Sequence, residues 1–563
     1  MAEPVSLPVR RPLRGDMLER LHRETFDLAV VGCGITGAWV ARDAAMRGLS
    51  VALVERGDFA SGTSSRSSRL VHGGLRYLRH AHISLVREGL RERGRLLRLA
   101  PHLVRPIPFT LPVYRGGRDN PLLLRIGLTG YDVLAGRLGI GRHRARSREQ
   151  LIEDEPALRS DGLRSGFRYF DAITNDARLT LSLALSATGY GAAVANYVEA
   201  ASLEMTGGRT SGVNCRDVVS GDELTVRAHT VIVAAGPWTD EWRGKSGGGA
   251  AVLRPTKGIH VVLPRERLHT DSVVAFYWQE RPLFVVPAGR YSYVGTTDTD
   301  WSGDAGEVEA DAADVGLVLD AINGNFNVDV TPADVTATWA GVRPLIAEEG
   351  SPSPSAVSRD YEVLEGPPGA YAIVGGKLTN ARAMAECVVD RVVEAEADVL
   401  SRSPARCRTS RARLPGATSH FDRYRAQAVA ALSRGWDISN EAAGHLVDTH
   451  GTDHVRVLAQ ARNDPELLEP VVPGSPVLLA EAAFAAEAEM AVTLEDFMRR
   501  RSDLMLFSPE AGCAAAERVA SILGRTLGWG EHEVGEQVEA YRGAVARMMA
   551  FRRDQTDPVR PSP

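Results

Sequence analysis

Four residues near the start of the chain have the types and spacing to hold a dinucleotide: Gly32, Gly34, Gly37 and Glu55. In Gly32-Cys33-Gly34-Ile35-Thr36-Gly37, Gly32 allows a tight turn out of a strand and Gly34 lets a pyrophosphate approach the backbone. Gly37 lets the following helix pack close to that strand, and the helix N-terminus offers the phosphates its partial positive charge. Glu55, 18 residues past Gly37, is placed to accept a hydrogen bond from a ribose hydroxyl. An acid there argues against a 2′-phosphate, so the spacing points to FAD or NAD and away from NADP.

These residues need a strand, a helix and a second strand to position them. Apolar runs at 28–31 and 51–54 supply the strands, and 35–47 reads as the helix. The unit is interrupted by SGTSSRSSRLVHGGLRYL (61–78), whose hydroxyls and paired glycines suit a loop that touches a ligand with its backbone. Then come a basic amphipathic stretch at 79–105 and loop punctuation at 106–121. Two later apolar runs also end on glycine, TVIVAAGPW (230–238) and AYAIVGGKLTNAR (370–382). Between them, 251–346 alternates strands with turns and reads as an antiparallel sheet with one wet face. Past 404 the pattern is alanine-rich and helical, with starts marked at Thr493-Leu-Glu-Asp496 and Ser508-Pro509.

A single NAD domain would be contiguous, whereas three strand-to-glycine junctions near 32, 236 and 375 are dispersed. That dispersal argues for FAD. The expected fold class is α/β, with a discontinuous Rossmann-like FAD-binding domain, an antiparallel β-sheet substrate cap and a C-terminal α-helical domain. The expected boundaries are a loosely attached leader at 1–24, an FAD-dependent region at 25–400 and the helical domain at 405–550. Within the middle region, FAD-binding parts fall at about 25–80, 150–250 and 340–400. The cap falls at about 251–339, and a basic, membrane-facing segment at about 79–145.

Composition narrows the class further. At 563 residues and 44% apolar, the chain can bury a large core in two or three domains. A net charge of −5 gives no global sign of nucleic acid binding. Five cysteines with no CxxC pair read as isolated thiols in a reducing compartment, and no metal site is read. No window approaches a membrane-spanning apolar run, so a cytoplasmic protein is expected.

The chain resembles the FAD-dependent glycerol-3-phosphate dehydrogenases, the respiratory type that passes electrons to quinone. The resemblance rests on the fingerprint, TSSRSSRLVHGGLRYL (63–78), DARLT (176–180), AAGPW (234–238) and KGIHVVLP (257–264). It continues through GTTDTDW (295–301), GVRPL (341–345), SRDY (358–361), GGKLT (375–379) and TLEDFMRRR (493–501). Two departures stand out: Arg69 where lysine is expected, and Asn380-Ala381-Arg382 after GGKLT. An echo of an EF-hand at 323–336 lacks the glycine and glutamate such a loop needs.

The resemblance implies oxidation of sn-glycerol 3-phosphate to dihydroxyacetone phosphate, with hydride to flavin N5 and electrons to quinone. It implies His260 as the base that takes the hydroxyl proton; read without it, His260 is a strand histidine bonded to a neighbour. Arg76, Arg343, Arg359 and Lys377 are expected to grip the phosphate, with Arg343 also counted as catalytic. Lys377 has a second reading as a charge near flavin N1 and O2. FAD contacts are expected from Gly32, Gly34, Gly37 and Glu55, then Thr63, Ser64, Ser67 and Ser68 around the flavin ring. Gly236, Gly376, Leu378 and Thr379 complete the set, with a helix at 376–386 aimed at flavin N1 and O2.

A quinone-reducing enzyme without a spanning helix needs a peripheral contact on the inner face of the cell membrane. The arginines of 79–105 and the apolar residues of 121–133 are the expected surface for anionic lipid and quinone. The alternative for 79–105 is a solvated helix face. An oxygen-using glycerol-3-phosphate oxidase, another flavin oxidase of the D-amino acid oxidase superfamily and a non-catalytic flavin-binding protein stay open as rival readings. A homodimer also stays open.

Overall fold

The computed structural model describes residues 14–80, 82–245, 251–279, 281–347 and 360–553. One sheet carries Tyr361–Glu365, Ala370–Gly375, Glu223–Val233, Thr25–Val31, Val51–Val54 and Ala193–Ala195 in that spatial order. The last five are parallel. Parallel strands covered on both faces read as continuous apolar runs, and Leu28, Val30, Leu53, Val194 and Ile232 are fully buried. Helix Ile35–Met46 packs against helices Asp176–Gly189 and Ala381–Ala395. This packing joins three distant parts of the chain, as the dispersed junctions imply.

The second sheet is the cap. Leu253–Pro264 pairs antiparallel with Ala337–Ile346 on one side and with Tyr291–Gly295 on the other. The sheet also takes in Val104–Tyr114 and Leu163–Thr174, which lie outside the 251–339 expected from sequence. Three prolines (Pro106, Pro108, Pro112) helped 106–121 read as loop punctuation. Their even spacing puts every missing N–H on one edge of the strand, away from its long pairing with Leu163–Thr174. On that other edge Val273–Trp278 pairs only at Phe109 and Thr110.

Two further segments carry contacts that the sequence did not announce. Within the expected leader, Arg14–Arg23 is a helix that buries Met17 and Leu21, four residues apart on one face. Arg14 anchors it by donating to Asp217 and to the Asn196 carbonyl. The basic stretch forms helix Ile83–Leu99, which buries Leu85, Val86, Leu90 and Leu96. Its Arg93 is buried against Asp171 at 2.5 Å, and its Glu92 pairs with buried Arg382. Those partners make it a structural helix with an exposed side at Arg87, Arg91 and Arg98.

The C-terminal helices include Phe421–Gly435, Leu479–Ala488, Ala516–Leu527 and Glu531–Met548. The expected cap at Thr493 is reciprocal: its hydroxyl accepts from Asp496 N–H at 3.2 Å, and Asp496 accepts from Thr493 N–H at 2.9 Å. It opens the π-helix Asp496–Arg501. Ser508 does not cap; its hydroxyl donates back to the Leu504 carbonyl.

Candidate active site

A cavity of about 440 Å³ opens where the C-terminal ends of the parallel strands meet the cap. Every site residue expected from sequence lines it except Gly37 and Arg359. Gly37 sits behind the wall, where a Cβ would lie 1.9 Å from the Gly32 carbonyl oxygen, so the helix-to-strand approach needs glycine there. Arg359 lies outside the described residues.

The glycine turn and the start of helix Ile35–Met46 form one end of the cavity. Ser64 Oγ accepts the Ile35 N–H at 2.8 Å, so this hydroxyl serves the helix start. Glu55 accepts the Cys33 N–H at 2.6 Å and the Gly57 N–H at 3.1 Å. Burial raises its pKa while those two N–H groups oppose the rise. Each carboxylate oxygen keeps a lone pair for a further donor. Thr63 donates to the Val342 carbonyl, and Ser67 gives both its N–H and its O–H to Asp176. Leu378–Asn380 is a short 3-10 turn, and the helix behind it begins at Ala381, later than expected.

At the other end stands His260, 2% exposed on the cap strand Leu253–Pro264. Its Nε2 shares a 2.8 Å hydrogen bond with Ser68 Oγ. Its ring stacks on Trp339 at 4.6 Å, with 14° between the planes. Burial, with help from Arg343 and Arg69, holds its pKa well below the usual histidine range. The ring is therefore neutral near pH 7 and able to accept a proton.

Three expected cations share the cavity. Arg343 donates to Asp298 at 3.1 Å and to Thr296 Oγ1 at 2.7 Å. It passes over Gly258, where a Cβ would lie 2.3 Å from its Nη2. Lys377 Nζ lies 3.7 Å above the Tyr77 ring, and the Arg76 guanidinium 5.7 Å from that ring. The loop carrying Arg76 is fixed from behind: Gly73 N–H donates to Tyr131 Oη, which donates to buried Asp171. Phe109, Leu111, Tyr169, Phe276 and Phe284 give the cavity an apolar side.

Sequence reasoning missed Trp339, Asp298 and Tyr77. Trp339 had a signal: it lies four residues before Arg343 on one strand, so both side chains share a face.

The family model described as FAD dependent oxidoreductase matches residues 27–391, and that for the C-terminal domain of alpha-glycerophosphate oxidase matches 407–534. Glycerol-3-phosphate dehydrogenase 2 of Mycobacterium bovis is 38% identical over 94% of this chain and 89% of its own. The chain belongs to the FAD-dependent glycerol-3-phosphate dehydrogenase family. The aerobic glycerol-3-phosphate dehydrogenase of Staphylococcus haemolyticus is 35% identical over 90% of this chain and 93% of its own. The glycerol-3-phosphate dehydrogenase from Bacillus halodurans, solved in complex with FAD, superposes with a TM-score of 0.80 at 28% identity. That match covers 98% of this chain and 99% of the other.

As a member of this family the protein is an FAD-dependent oxidoreductase, and its residues fit the cofactor. Gly32, Gly34 and the start of helix Ile35–Met46 line the cavity, so a helix N-terminus meets it as a pyrophosphate needs, and a Cβ at Gly32 would lie 2.7 Å from the Ala234 carbonyl oxygen, so the turn requires glycine. Glu55 lies at the adjacent strand end, where an adenosine ribose would lie.

Proposed function

We propose that the protein oxidises the C2 hydroxyl of sn-glycerol 3-phosphate to dihydroxyacetone phosphate. The observation that carries this reading is a neutral, buried His260 sharing one cavity with Arg343, Arg76 and Lys377. FAD, when bound, supplies the two-electron acceptor for the hydride leaving C2. The His260 imidazole takes the hydroxyl proton, a task for which a positioned imidazole contributes typically 10²- to 10⁴-fold. Arg343, Arg76 and Lys377 bind the phosphate dianion, Arg343 by its planar fork and Lys377 as a point charge. Arg359 is assigned to the same grip from its motif alone. An amino acid substrate would need one cation for its carboxylate, whereas Arg343, Arg76 and Lys377 together suit a phosphate dianion.

For the electron acceptor we read a membrane quinone. Leu124 of helix Pro121–Ala135 lines the apolar side of the cavity, while Leu122, Leu123, Ile126 and Val133 of that helix are each more than half exposed. No helix among the described residues is long and apolar enough to cross a membrane. A bared apolar face on a helix that packs against Ile83–Leu99, which carries the exposed Arg91 and Arg98, suits peripheral attachment to anionic lipid on the inner face of the cell membrane.

Stopped-flow mixing tests both parts. Glycerol 3-phosphate should bleach the bound flavin, and a quinone analogue should restore its colour faster than dissolved oxygen. Failure to bleach overturns the substrate; rapid recovery with oxygen alone makes the protein an oxidase.

A further inference from the structure

The wall that carries Ser68 is held from outside the FAD and cap domains. Arg69, 6% exposed, puts a two-pronged fork on Asp503: Nη1 to Oδ2 at 2.7 Å and Nη2 to Oδ1 at 2.8 Å. Asp503 lies just past the π-helix of the C-terminal domain and also accepts from Asn175 Nδ2 at 2.6 Å. Four residues on, Phe507 stands edge-on to Trp339 at 6.3 Å, behind the indole on which His260 stacks. The C-terminal domain therefore supports two neighbours of the imidazole, Ser68 and Trp339.

Arg69 has a second carboxylate within reach. Its Nε lies 3.7 Å from Asp176 Oδ1, and the other oxygen of Asp176 accepts from the Ser67 N–H and O–H. A buried guanidinium that loses one anion moves toward the next. Without Asp503 that anion is Asp176, and the move would pull on Ser67 and hence on Ser68. Arg69 itself has φ +58, a left-handed conformation that a non-glycine residue keeps only where its surroundings impose it.

We propose that Asp503 is a positioning residue for the active site: by clamping Arg69 it keeps the looser Arg69–Asp176 ion pair from tightening and so holds the Ser68 hydroxyl on His260. This rests on the reading of His260 as proton acceptor. It also accounts for arginine at position 69, because a fork engages both carboxylate oxygens where a lysine would engage one.

The test compares Asp503→Asn, Arg69→Lys, Ser68→Ala and His260→Ala as FAD-loaded full-length proteins. Asp503→Asn is expected to keep its FAD and to slow flavin reduction by roughly 10- to 100-fold, the scale at which misplacing a catalytic group is felt. Backbone hydrogen exchange across 64–72 is expected to quicken. The double variant Asp503→Asn/Ser68→Ala should be no slower than Ser68→Ala, because both act on one contact. Additive losses, or a lower melting temperature with an unchanged reduction rate, would overturn the proposal and leave Asp503 a stabilising residue only. If Asp503→Asn fails to fold, Arg69→Lys carries the same measurements with the clamp cut to a single bond. If His260→Ala reduces its flavin at the wild-type rate, the base assignment has failed; a slow His260→Ala beside an unimpaired Asp503→Asn isolates the failure to the clamp.

Discussion

Trp339 and His260 face each other as a register pair on adjacent antiparallel strands, and their rings stack at 4.6 Å. Backbone pairing therefore sets the plane of the imidazole, while Ser68 sets its rotation within that plane. Tyr293, tilted 68° to the imidazole at 6.0 Å, adds a third contact. A ring held this way loses little further freedom when substrate arrives, which is how positioning lowers a barrier.

His260→Ala should lower the flavin reduction rate by roughly 10² to 10⁴ with FAD content unchanged. Because the folded pKa of His260 lies well below 6.5, the acid limb of the wild-type rate should also fall below pH 6.5. A limb at 6.5 or above, or a fast alanine variant, would assign the proton to another group, with His72 on the cavity wall the next candidate.

Arg343→Ala should reduce kcat/KM for glycerol 3-phosphate by roughly 10- to 150-fold, from about 1.5–3 kcal/mol for a charge-assisted hydrogen bond. Gly258→Ala should impair the same parameter without removing a charge, since the new methyl would displace Arg343. Glycerol, lacking the phosphate, should be a poor substrate whose turnover neither change alters. Equal losses on both substrates would show that Arg343 supports the fold.

His102 gives a stability signature. Burial, Arg178 and His450 lower its pKa to about 3 in the folded chain. Between about pH 6.5 and 3 the unfolded chain binds a proton that the folded chain does not, so this contribution is intact above 6.5 and is lost as pH falls. At pH 5 the loss is about 2 kcal/mol. Melting curves at pH 7 and pH 5 should converge in His102→Gln relative to wild type; an unchanged pH dependence would mean that His102 is charged in the native state.

Changing Leu122, Leu123 and Ile126 together to serine should abolish binding to anionic liposomes and cut quinone reduction. A soluble dye assay should be spared. Neutralising Arg91 and Arg98 should weaken binding chiefly at low salt, because such attraction is screened within about 10 Å at 0.1 M ionic strength. Undiminished liposome binding by the serine variant would remove the helix from the membrane contact.

What was legible in the sequence had local causes. Gly32 through Glu55 announced a strand, a helix and a second strand because each residue there serves a neighbour within the same unit. The junctions at 236 and 375 were legible as strands ending on glycine, and the cavity gathers them with His260 and Arg343. The strand Val104–Tyr114 was not legible, since its prolines are tolerated only because of which edge they face, and that depends on a partner strand some sixty residues later. Arg69 stood out in sequence as an odd residue without a reason. Its reason is Asp503, 434 positions away, and no periodicity reports a contact of that range.

The parallel sheet has a consequence for synthesis on the ribosome. Thr25–Val31 lies beside Glu223–Val233, which lies beside Ala370–Gly375. The first strand has therefore emerged some 340 residues before the last one arrives to complete the sheet. At about 5–20 residues per second that interval is roughly 20 to 70 s. Throughout it the nascent chain carries the glycine cradle with an unpaired apolar edge and no closed pocket. Cofactor capture must come late in translation, and the exposed edge in the meantime is the place where a chaperone would bind or aggregation would begin.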